Sequence, residues 1–257
     1  MSRYAAMFRH AGNAGVFGAF VMLGDPDLAR CAAILDRLVE AEADMLEVGI
    51  PFSDPIADGP VIQAAAVRAL ANGATPADCF ALLADFRARH PEVPVGILTY
   101  ANLVLARGRD DFYRRAAEAG VDSVLVADVP VIEVDPFVEA AGAHGVAPVL
   151  IAATNTPEHR LREVARRGGG YTYCVARAGV TGTDQEARFE QGAMLDILRD
   201  AGAPPPVFGF GISRPEHVRA ALAAGAAGVI CGSAIVDRVA RGEDVAGFVR
   251  AMKAAML

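Results

Sequence analysis

The sequence predicts one α/β domain, a (β/α)8 or TIM barrel that spans residues 1–257. Three observations lead to this fold: eight short apolar runs, helix-period segments between them, and no break in composition that would mark a second domain. The apolar runs are rich in Val, Ile and Leu, which is typical of parallel strands buried on both faces. A doubly wound open sheet is the alternative that the same alternation allows.

The candidate strands alternate with segments whose apolar residues recur at three- and four-residue spacing, as helices that cover a sheet require. The strands are Val16–Met22, Met45–Gly49, Val95–Thr99, Ser123–Ala127, Ala147–Ile151, Tyr171–Val175, Val207–Phe210 and Gly228–Cys231. The clearest helical segments are Leu28–Glu42, Asp111–Ala119, Pro157–Arg167 and Pro215–Ala224. We also expect a short extra helix at Ser2–His10, under the barrel floor, and another after the eighth strand.

Composition and charge exclude several classes of partner. The net charge of -7 disfavours nucleic acid, because an acidic chain gains nothing from a polyanion. No two histidines stand at ligand spacing, so we expect no metal site. The apolar run Gly15–Leu23 is too short to span a bilayer, and no small-residue cleavage site follows it, so we expect no membrane association.

The cysteines point to a reducing compartment. All four stand in apolar runs and none forms a C-x-x-C pair, which indicates buried, reduced thiols in a cytoplasmic protein. They are Cys31, Cys79, Cys174 and Cys231.

The second strand carries the first candidate catalytic residue. Alternation puts Glu47 on the same face as Met45 and Gly49, whereas bulky aliphatic residues occupy the other face and suit the surrounding helices. Glu47 then points into the barrel near the carboxyl ends of the strands, where active sites of this fold are built. A partly desolvated carboxyl group has a raised pKa and can act as a general acid near neutral pH. A buried salt bridge is the structural alternative, although no basic residue lies close in sequence.

The loop Pro51–Pro60 adds a second candidate, Asp58, directly above the predicted barrel mouth. Asp58 precedes Gly59 and Pro60, so it also fits a turn or the N-cap of a helix that begins near Val61. A functional role is equally open, because two carboxyl groups in different environments can differ in pKa, one serving as acid and one as anion.

Three glycine-rich loops predict a phosphate site. They follow the sixth, seventh and eighth strands and comprise Arg177–Thr183, Phe210–Ser213 and Gly232–Val236. Gly182, Gly211 and Gly232 let the backbone approach an anion closely, and Ser233 opens a short helix whose N–H groups attract phosphate. The residues alone therefore predict a barrel enzyme that acts on a small phosphorylated substrate by carboxylate acid–base chemistry, without a metal.

At these residues the chain closely resembles the α subunits of tryptophan synthase. The matching segments occur in order along nearly the whole chain, and Glu47–Pro60 is highly specific to the family. The segments are Phe20–Pro26, Leu46–Pro60, Asp122–Pro130, Arg177–Gly182, Phe210–Ser213 and Gly232–Val236. The resemblance implies a carbon–carbon lyase of tryptophan biosynthesis, which cleaves indole-3-glycerol phosphate by a retro-aldol reaction to indole and glyceraldehyde 3-phosphate.

The resemblance also implies roles for individual residues. Glu47 matches the general acid/base that protonates the indole ring carbon and helps remove the hydroxyl proton, and Asp58 matches the residue that holds the indole N–H. Thr181 matches a residue on a mobile loop that closes over the site and meets Asp58. The substrate-binding positions are Phe20, Leu98, Tyr100, Ala127, Ile151, Tyr173 and Thr181. The phosphate-binding positions are Gly182, Gly211, Gly232 and Ser233.

The partner implied by the resemblance is a β subunit, in an α2β2 heterotetramer. Pyridoxal phosphate belongs to that β subunit, and this chain is expected to hold no cofactor. The docking loop around Pro51 and Asp54 is kept. Elsewhere the chain departs from the usual family pattern, with Leu103 in place of Pro, Leu105-Ala106 in place of an aromatic–Asn pair, and Ala152-Ala153 in place of a Pro-rich segment.

Two alternatives to the α-subunit interpretation are open. One is a stand-alone lyase that releases free indole, for which the altered segment after Tyr100 is the only hint in the sequence. The other is a weakly catalytic regulatory subunit of a β partner, against which the presence of both Glu47 and Asp58 speaks.

Overall fold

The computed structural model describes residues 1–175 and 192–256, in which helices surround a sheet of nine parallel strand segments. The segments are β1 (Val16–Met22), β2 (Met45–Gly49), β3 (Val95–Thr99), β4 (Ser123–Val126), β5 (Ala147–Pro148), β6 (Leu150–Ala153), β7 (Thr172–Val175), β8 (Pro206–Phe208) and β9 (Gly228–Cys231). The helices are α1 (Arg3–Ala11), α2 (Leu28–Glu40), α3 (Pro60–Ala71), α4 (Pro76–Arg89), α5 (Ala101–Leu105), α6 (Arg109–Glu118), α7 (Asp135–Ala143), α8 (Glu158–Arg167), α9 (Gly192–Asp200), α10 (Pro215–Ala223), α11 (Ser233–Arg241) and α12 (Val245–Lys253).

The sheet closes into a barrel of eight strand positions. Its order is β5-β4-β3-β2-β1-β9-β8-β7-β6, and the two terminal segments follow each other in the chain across Val149. They are two parts of one barrel strand, because β5 pairs with β4 while β6 pairs with β7. The Val149 N–H donates to the Val124 carbonyl at 3.0 Å, so the pairing with β4 continues through the break. The predicted (β/α)8 barrel is confirmed, and the open-sheet alternative is wrong.

Most predicted strands begin and end within a residue or two of the expected positions, and β1, β2, β3 and β9 match fully. The strand predicted at Val207–Phe210 ends earlier, at Phe208. At Gly209 the Tyr173 ring occupies the space beside the backbone, since a Cβ there would lie 2.1 Å from the Tyr173 hydroxyl oxygen. The helix predicted at Leu28–Glu42 ends at Glu40, because Glu42 has a positive φ of 70° and cannot continue it.

Both expected extra helices are present. The first is α1, which begins after Ser2, whose side chain accepts a hydrogen bond from the Ala5 N–H as an N-cap. Its Tyr4 is buried against the barrel floor, beside Tyr171. The second is α11, directly after β9. None of the helices in residues 1–175 and 192–256 combines the length and apolar character needed to cross a bilayer.

Alternation along the strands separates two apolar layers. Leu46 and Val48 of β2 belong to the layer between the barrel and its helices. Met45 belongs to the cluster inside the barrel, with Phe20 and Tyr173 from other strands. Glu47 shares the parity of Met45 and therefore points into the barrel.

Asp122, at the start of β4, ties several elements together at the barrel floor. Its carboxylate accepts hydrogen bonds from the Val95 N–H at 2.8 Å and from the Arg87 guanidinium at 2.8 Å. The Arg3 guanidinium of α1 donates to its other oxygen at 2.8 Å. The Asp122 side chain is only 9% exposed, so little water competes for these contacts.

The Asp122→Ala variant is expected to lose about 2–4 kcal/mol of unfolding free energy, because it leaves the largely buried Arg87 guanidinium without its carboxylate and the Val95 N–H without its side-chain acceptor. Urea denaturation followed by circular dichroism measures this loss. Asp196→Ala, which removes an exposed pair with Arg199 on α9, is the matched control and should show no measurable change. Equal stabilities of the two variants would contradict the bracing role of Asp122.

Candidate active site

Glu47 lies inside the barrel on β2, and its side chain is almost completely shielded, with 1% exposure. The Tyr171 hydroxyl donates a hydrogen bond to Glu47 Oε1 at 2.7 Å. Tyr171 packs edge-on against Tyr4 with ring centroids 5.4 Å apart, and the Tyr4 hydroxyl shares a 2.8 Å hydrogen bond with Ser123 Oγ. Two packed, buried tyrosines therefore lie behind Glu47, and one of them holds an oxygen of its carboxyl group.

The environment of Glu47 suits acid–base chemistry. Burial raises the pKa of Glu47 to about 7, the Tyr171 hydrogen bond opposes that rise, and the negative charge of Asp58 adds to it. A carboxyl group with a pKa near neutrality holds substantial amounts of both its acid and its base form, as a group that must both donate and accept a proton requires. Within residues 1–175 and 192–256, no basic side chain is among the groups that shift this pKa. The geometry thus favours the functional interpretation over a buried salt bridge.

Asp58 lies at the end of the loop above Glu47 and is 6% exposed. Helix α3 begins at Pro60 with Gly59 as its N-cap and without a capping side chain, so Asp58 is not a helix cap. The Gln63 side-chain amide instead holds the Asp58 carbonyl at 2.6 Å. The N-cap interpretation is therefore wrong, whereas Asp58 does close a turn, since its N–H donates to the Pro55 carbonyl at 3.3 Å.

Tyr100 fixes the Asp58 side chain. Its hydroxyl hydrogen-bonds to the carboxylate and also accepts the Ala57 N–H at 3.3 Å, so it holds both side chain and loop. Burial raises the pKa of Asp58, and the Tyr100 hydrogen bond works against that rise. The Tyr100 ring packs on Phe52, with centroids 5.6 Å apart, which fixes it beside the loop.

Glu47 and Asp58 line the same cavity at the barrel mouth. The empty space there, counted with its opening to solvent, is about 490 Å³. The walls between the two acids and the far end are mainly apolar. They are formed by Phe20, Ile62, Leu98, Tyr173, Ile212 and Ile230. An apolar, aromatic wall beside two carboxyl groups suits a flat ring that carries an N–H donor.

The far end of the cavity is built from backbone and hydroxyl groups. Gly211, Ser213, Gly232 and Ser233 line it, and α11 begins there with Gly232 as its N-cap. The first N–H groups of an α-helix lack partners within the helix and attract anions. Gly211 has a φ of 75°, a conformation that favours glycine. This end can therefore receive a phosphate group.

The structure brings most of the predicted site residues together, but not all of them. Phe20, Leu98 and Tyr173 line the cavity with the two acids, and Tyr100 supports it from the loop side. Ala127 and Ile151 pack against the interior cluster and line a neighbouring groove between β4, β6 and α8, outside the cavity that holds Glu47 and Asp58. The predicted positions Thr181 and Gly182 lie outside the described residues.

Several residues of the site were missed from the sequence. Tyr171 stands two positions before Tyr173, so the alternation rule that found Glu47 would also have placed it inside the barrel. Ile62, Gly209 and Ile230 contact the cavity from three separate elements and carry no local signal. Within residues 1–175 and 192–256, no cluster of His, Cys, Asp or Glu could hold a metal ion.

Comparison with known proteins gives one consistent result. A family model described as the tryptophan synthase alpha chain matches residues 8–255. The tryptophan synthase alpha chain of Shewanella amazonensis is 52% identical over 265 residues, covering 99% of this chain and 100% of the relative. That of Serratia proteamaculans is also 52% identical over 265 residues, covering 99% of each chain.

Solved structures agree with these matches. Tryptophan synthase subunit alpha from Legionella pneumophila superposes with a TM-score of 0.89 at 28% identity, covering 100% of this chain and 98% of that one. A chain from the tryptophan synthase α2β2 complex of Pyrococcus furiosus superposes with a TM-score of 0.84 at 35% identity, covering 95% and 97%.

Proposed function

Because this chain belongs to the tryptophan synthase alpha chain family, we propose that its barrel cavity cleaves indole-3-glycerol phosphate, with Glu47 and Asp58 as the catalytic carboxyl groups. The reaction is the α reaction of tryptophan biosynthesis and makes the chain a carbon–carbon lyase. One observation carries the assignment of the residues: two buried acids line one cavity whose opposite end is built from glycines and a helix N-terminus.

The chemistry follows from the two environments. Glu47 in its acid form donates its proton to C3 of the indole ring, which becomes a cation. The Asp58 carboxylate accepts the indole N–H and stabilises this positive charge, an interaction that is strong in a site shielded from water. Glu47, now a carboxylate, takes the proton of the hydroxyl on the adjacent glycerol carbon. The bond between that carbon and C3 breaks, its electrons return to the ring, and indole and glyceraldehyde 3-phosphate result with Glu47 again protonated.

No cofactor enters this scheme. The protonated indole ring is itself the electron acceptor for the breaking bond, so we propose that this chain uses neither a metal nor a coenzyme, and that pyridoxal phosphate belongs to the β subunit alone. We propose residues 1–257 as one catalytic domain. All four cysteines are free and buried, which supports a reducing, cytoplasmic location.

A pH profile tests the state of Glu47. The acid form starts the reaction, so kcat/KM should fall as the pH rises through the Glu47 pKa of about 7. In Tyr171→Phe the hydrogen bond that lowers this pKa is lost, and the falling limb should move to higher pH. Phe112→Leu, an apolar change in α6 away from the cavity, is the control. A falling limb at the same pH in Tyr171→Phe and the native chain would contradict the assignment.

The partner of this family is the tryptophan synthase β subunit, and we propose that it docks on the loops after β2, β3 and β4. Each of these loops presents an exposed apolar residue: Ile56 is 73% exposed, Leu105 46% and Ile132 55%. Asp54 is also exposed beside Ile56. Three such side chains at one end of the barrel indicate a surface that a protein partner covers.

The Leu105→Asp variant is expected to weaken β-subunit binding at least tenfold, because it introduces a charge into an apolar contact, while the isolated chain keeps its activity. The α-reaction rate, measured while isolated β subunit is titrated into the chain, gives the affinity of the two subunits. Val67→Asp adds the same charge at a residue of α3 that is 65% exposed, and should leave binding unchanged. If both variants bind equally well, the surface after β3 is not the docking site.

The function itself is tested by indole release from indole-3-glycerol phosphate, with and without a β subunit. An α subunit should be slow alone and strongly stimulated by the partner. Fast release without stimulation would favour the stand-alone lyase. Ligand binding without cleavage under either condition would favour the regulatory subunit and overturn the proposed mechanism.

A further inference from the structure

A histidine behind the phosphate end of the cavity is held between two sets of donors. His217 of α10 is buried, with 7% exposure. Its Nδ1 lies 3.3 Å from the Ser213 backbone N and 3.4 Å from Ser213 Oγ. Its Nε2 lies 3.1 Å from Arg214 Nη2 and 3.4 Å from Arg214 Nε. Because Ser213 lines the cavity, these contacts connect a guanidinium to the cavity wall through one imidazole ring.

The two ring nitrogens cannot both accept hydrogen bonds. A neutral imidazole has one acceptor nitrogen and one N–H, whereas a guanidinium can only donate. When Nε2 accepts from Arg214, Nδ1 must carry the hydrogen and donate it to Ser213 Oγ. The hydroxyl hydrogen of Ser213 is then directed away from His217 and can be donated to a ligand in the cavity that Ser213 lines. In this tautomer the Ser213 backbone N–H, which is directed at Nδ1, has no acceptor there, so the hydroxyl is the Ser213 donor that the ring orients.

We propose that Arg214, acting through His217, is a positioning residue that directs the Ser213 hydroxyl to the phosphate group of the substrate. This inference rests on the proposed function, since it concerns the same cavity. With Oγ accepting from Nδ1–H, the Ser213 hydroxyl hydrogen can be donated to a charged phosphate oxygen, which makes a stronger hydrogen bond than a neutral acceptor does.

We call Arg214, His217 and Ser213 the relay. Steady-state cleavage of indole-3-glycerol phosphate by the full chain with its β subunit tests its role. Arg214→Ala, His217→Leu and Ser213→Ala should each raise KM about five- to twentyfold, because each removes a donor or its orientation toward a charged group, with kcat within about twofold. His217→Gln should stay near the native KM, since its amide oxygen can accept from Arg214 while its NH2 donates to Ser213. Arg219→Ala, an exposed arginine on the same helix, is the control for charge alone.

A second readout separates this inference from the proposed function. Inorganic phosphate binding to the full chain, measured by calorimetry, should weaken in the three relay variants and not in His217→Gln or Arg219→Ala. An unchanged KM and phosphate affinity in Arg214→Ala would overturn the relay, as would equal effects of His217→Gln and His217→Leu or of Arg219→Ala and Arg214→Ala. If the phosphate affinities of the variants follow this pattern but the native chain releases no indole, the proposed function is overturned and the relay stands.

Discussion

Glu47→Gln is expected to lower kcat for indole-3-glycerol phosphate cleavage by about 10²–10⁴-fold, the contribution of a general acid/base. Gln has nearly the same shape as Glu, and its amide oxygen can still accept the Tyr171 hydroxyl that now holds Oε1. The amide can neither give a proton to the ring nor take one from the hydroxyl. Substrate binding should therefore survive while turnover is lost, and a steady-state assay of indole release with a direct binding titration separates the two.

The control for this variant is Glu118→Gln, which makes the same chemical change on an exposed side chain of α6. It should leave both kcat and substrate affinity unchanged. A Glu47→Gln chain that folds as the native chain does, binds substrate and turns it over at a near-native rate would remove Glu47 from the mechanism. Loss of substrate binding with the turnover of bound substrate intact would instead make Glu47 a binding group.

The inward position of Glu47 was predictable because strand alternation is a strict rule in a sheet with two buried faces. A slip of one residue in β2 would bury Glu47 among the covering helices and turn the bulky Leu46 and Val48 into the barrel. The apolar pattern of β2 alone therefore determines which of its side chains face the barrel interior. The break of the fifth barrel strand at Val149 could not be predicted in the same way, because it depends on which neighbour each half pairs with.

The role of Asp58 could not be settled from its own segment. A carboxylate before Gly59-Pro60 fits a turn or cap as well as a catalytic site, and its side-chain contact is with Tyr100, which follows another strand. The hydrogen bond between Tyr171 and Glu47 likewise exists only because barrel closure brings two distant strands together. The contact of Ser213 with His217 is different, because the two residues are only four positions apart, where the chain enters α10, and this spacing is visible in the sequence.

The positions predicted for the indole pocket were assigned residue by residue from the family resemblance, and the structure places them in two different groups. Phe20 and Leu98 line the cavity with the two acids, whereas Ala127 and Ile151 lie beside a separate groove. Strand position places a side chain inside the barrel, but the packing of its neighbours decides which cavity or groove it lines. Such packing depends on the whole interior and has no signature in a single segment.

Asp58→Asn is expected to reduce kcat by about 10²–10³-fold, the usual cost of removing one group that stabilises charge developing in a shielded site. The amide oxygen can still accept the indole N–H, so the loss reports the missing negative charge beside the cation and not the loss of a hydrogen bond. The variant also has a signature that a simple packing defect lacks. Asp58 raises the pKa of Glu47, so its neutralisation should move the falling limb of kcat/KM to lower pH, opposite to the shift expected for Tyr171→Phe.

Asp54→Asn provides the matched control, because Asp54 lies in the same loop but is exposed and hydrogen-bonded to Ser53 Oγ at 2.5 Å. Assayed without a β subunit, it should keep the native rate and the native pH profile. A rate for Asp58→Asn within threefold of native would show that the indole cation is stabilised by another group. A large loss of rate without the shift to lower pH would mean that Asp58 and Glu47 do not sense each other's charge, and the two acids would then not act on one ring.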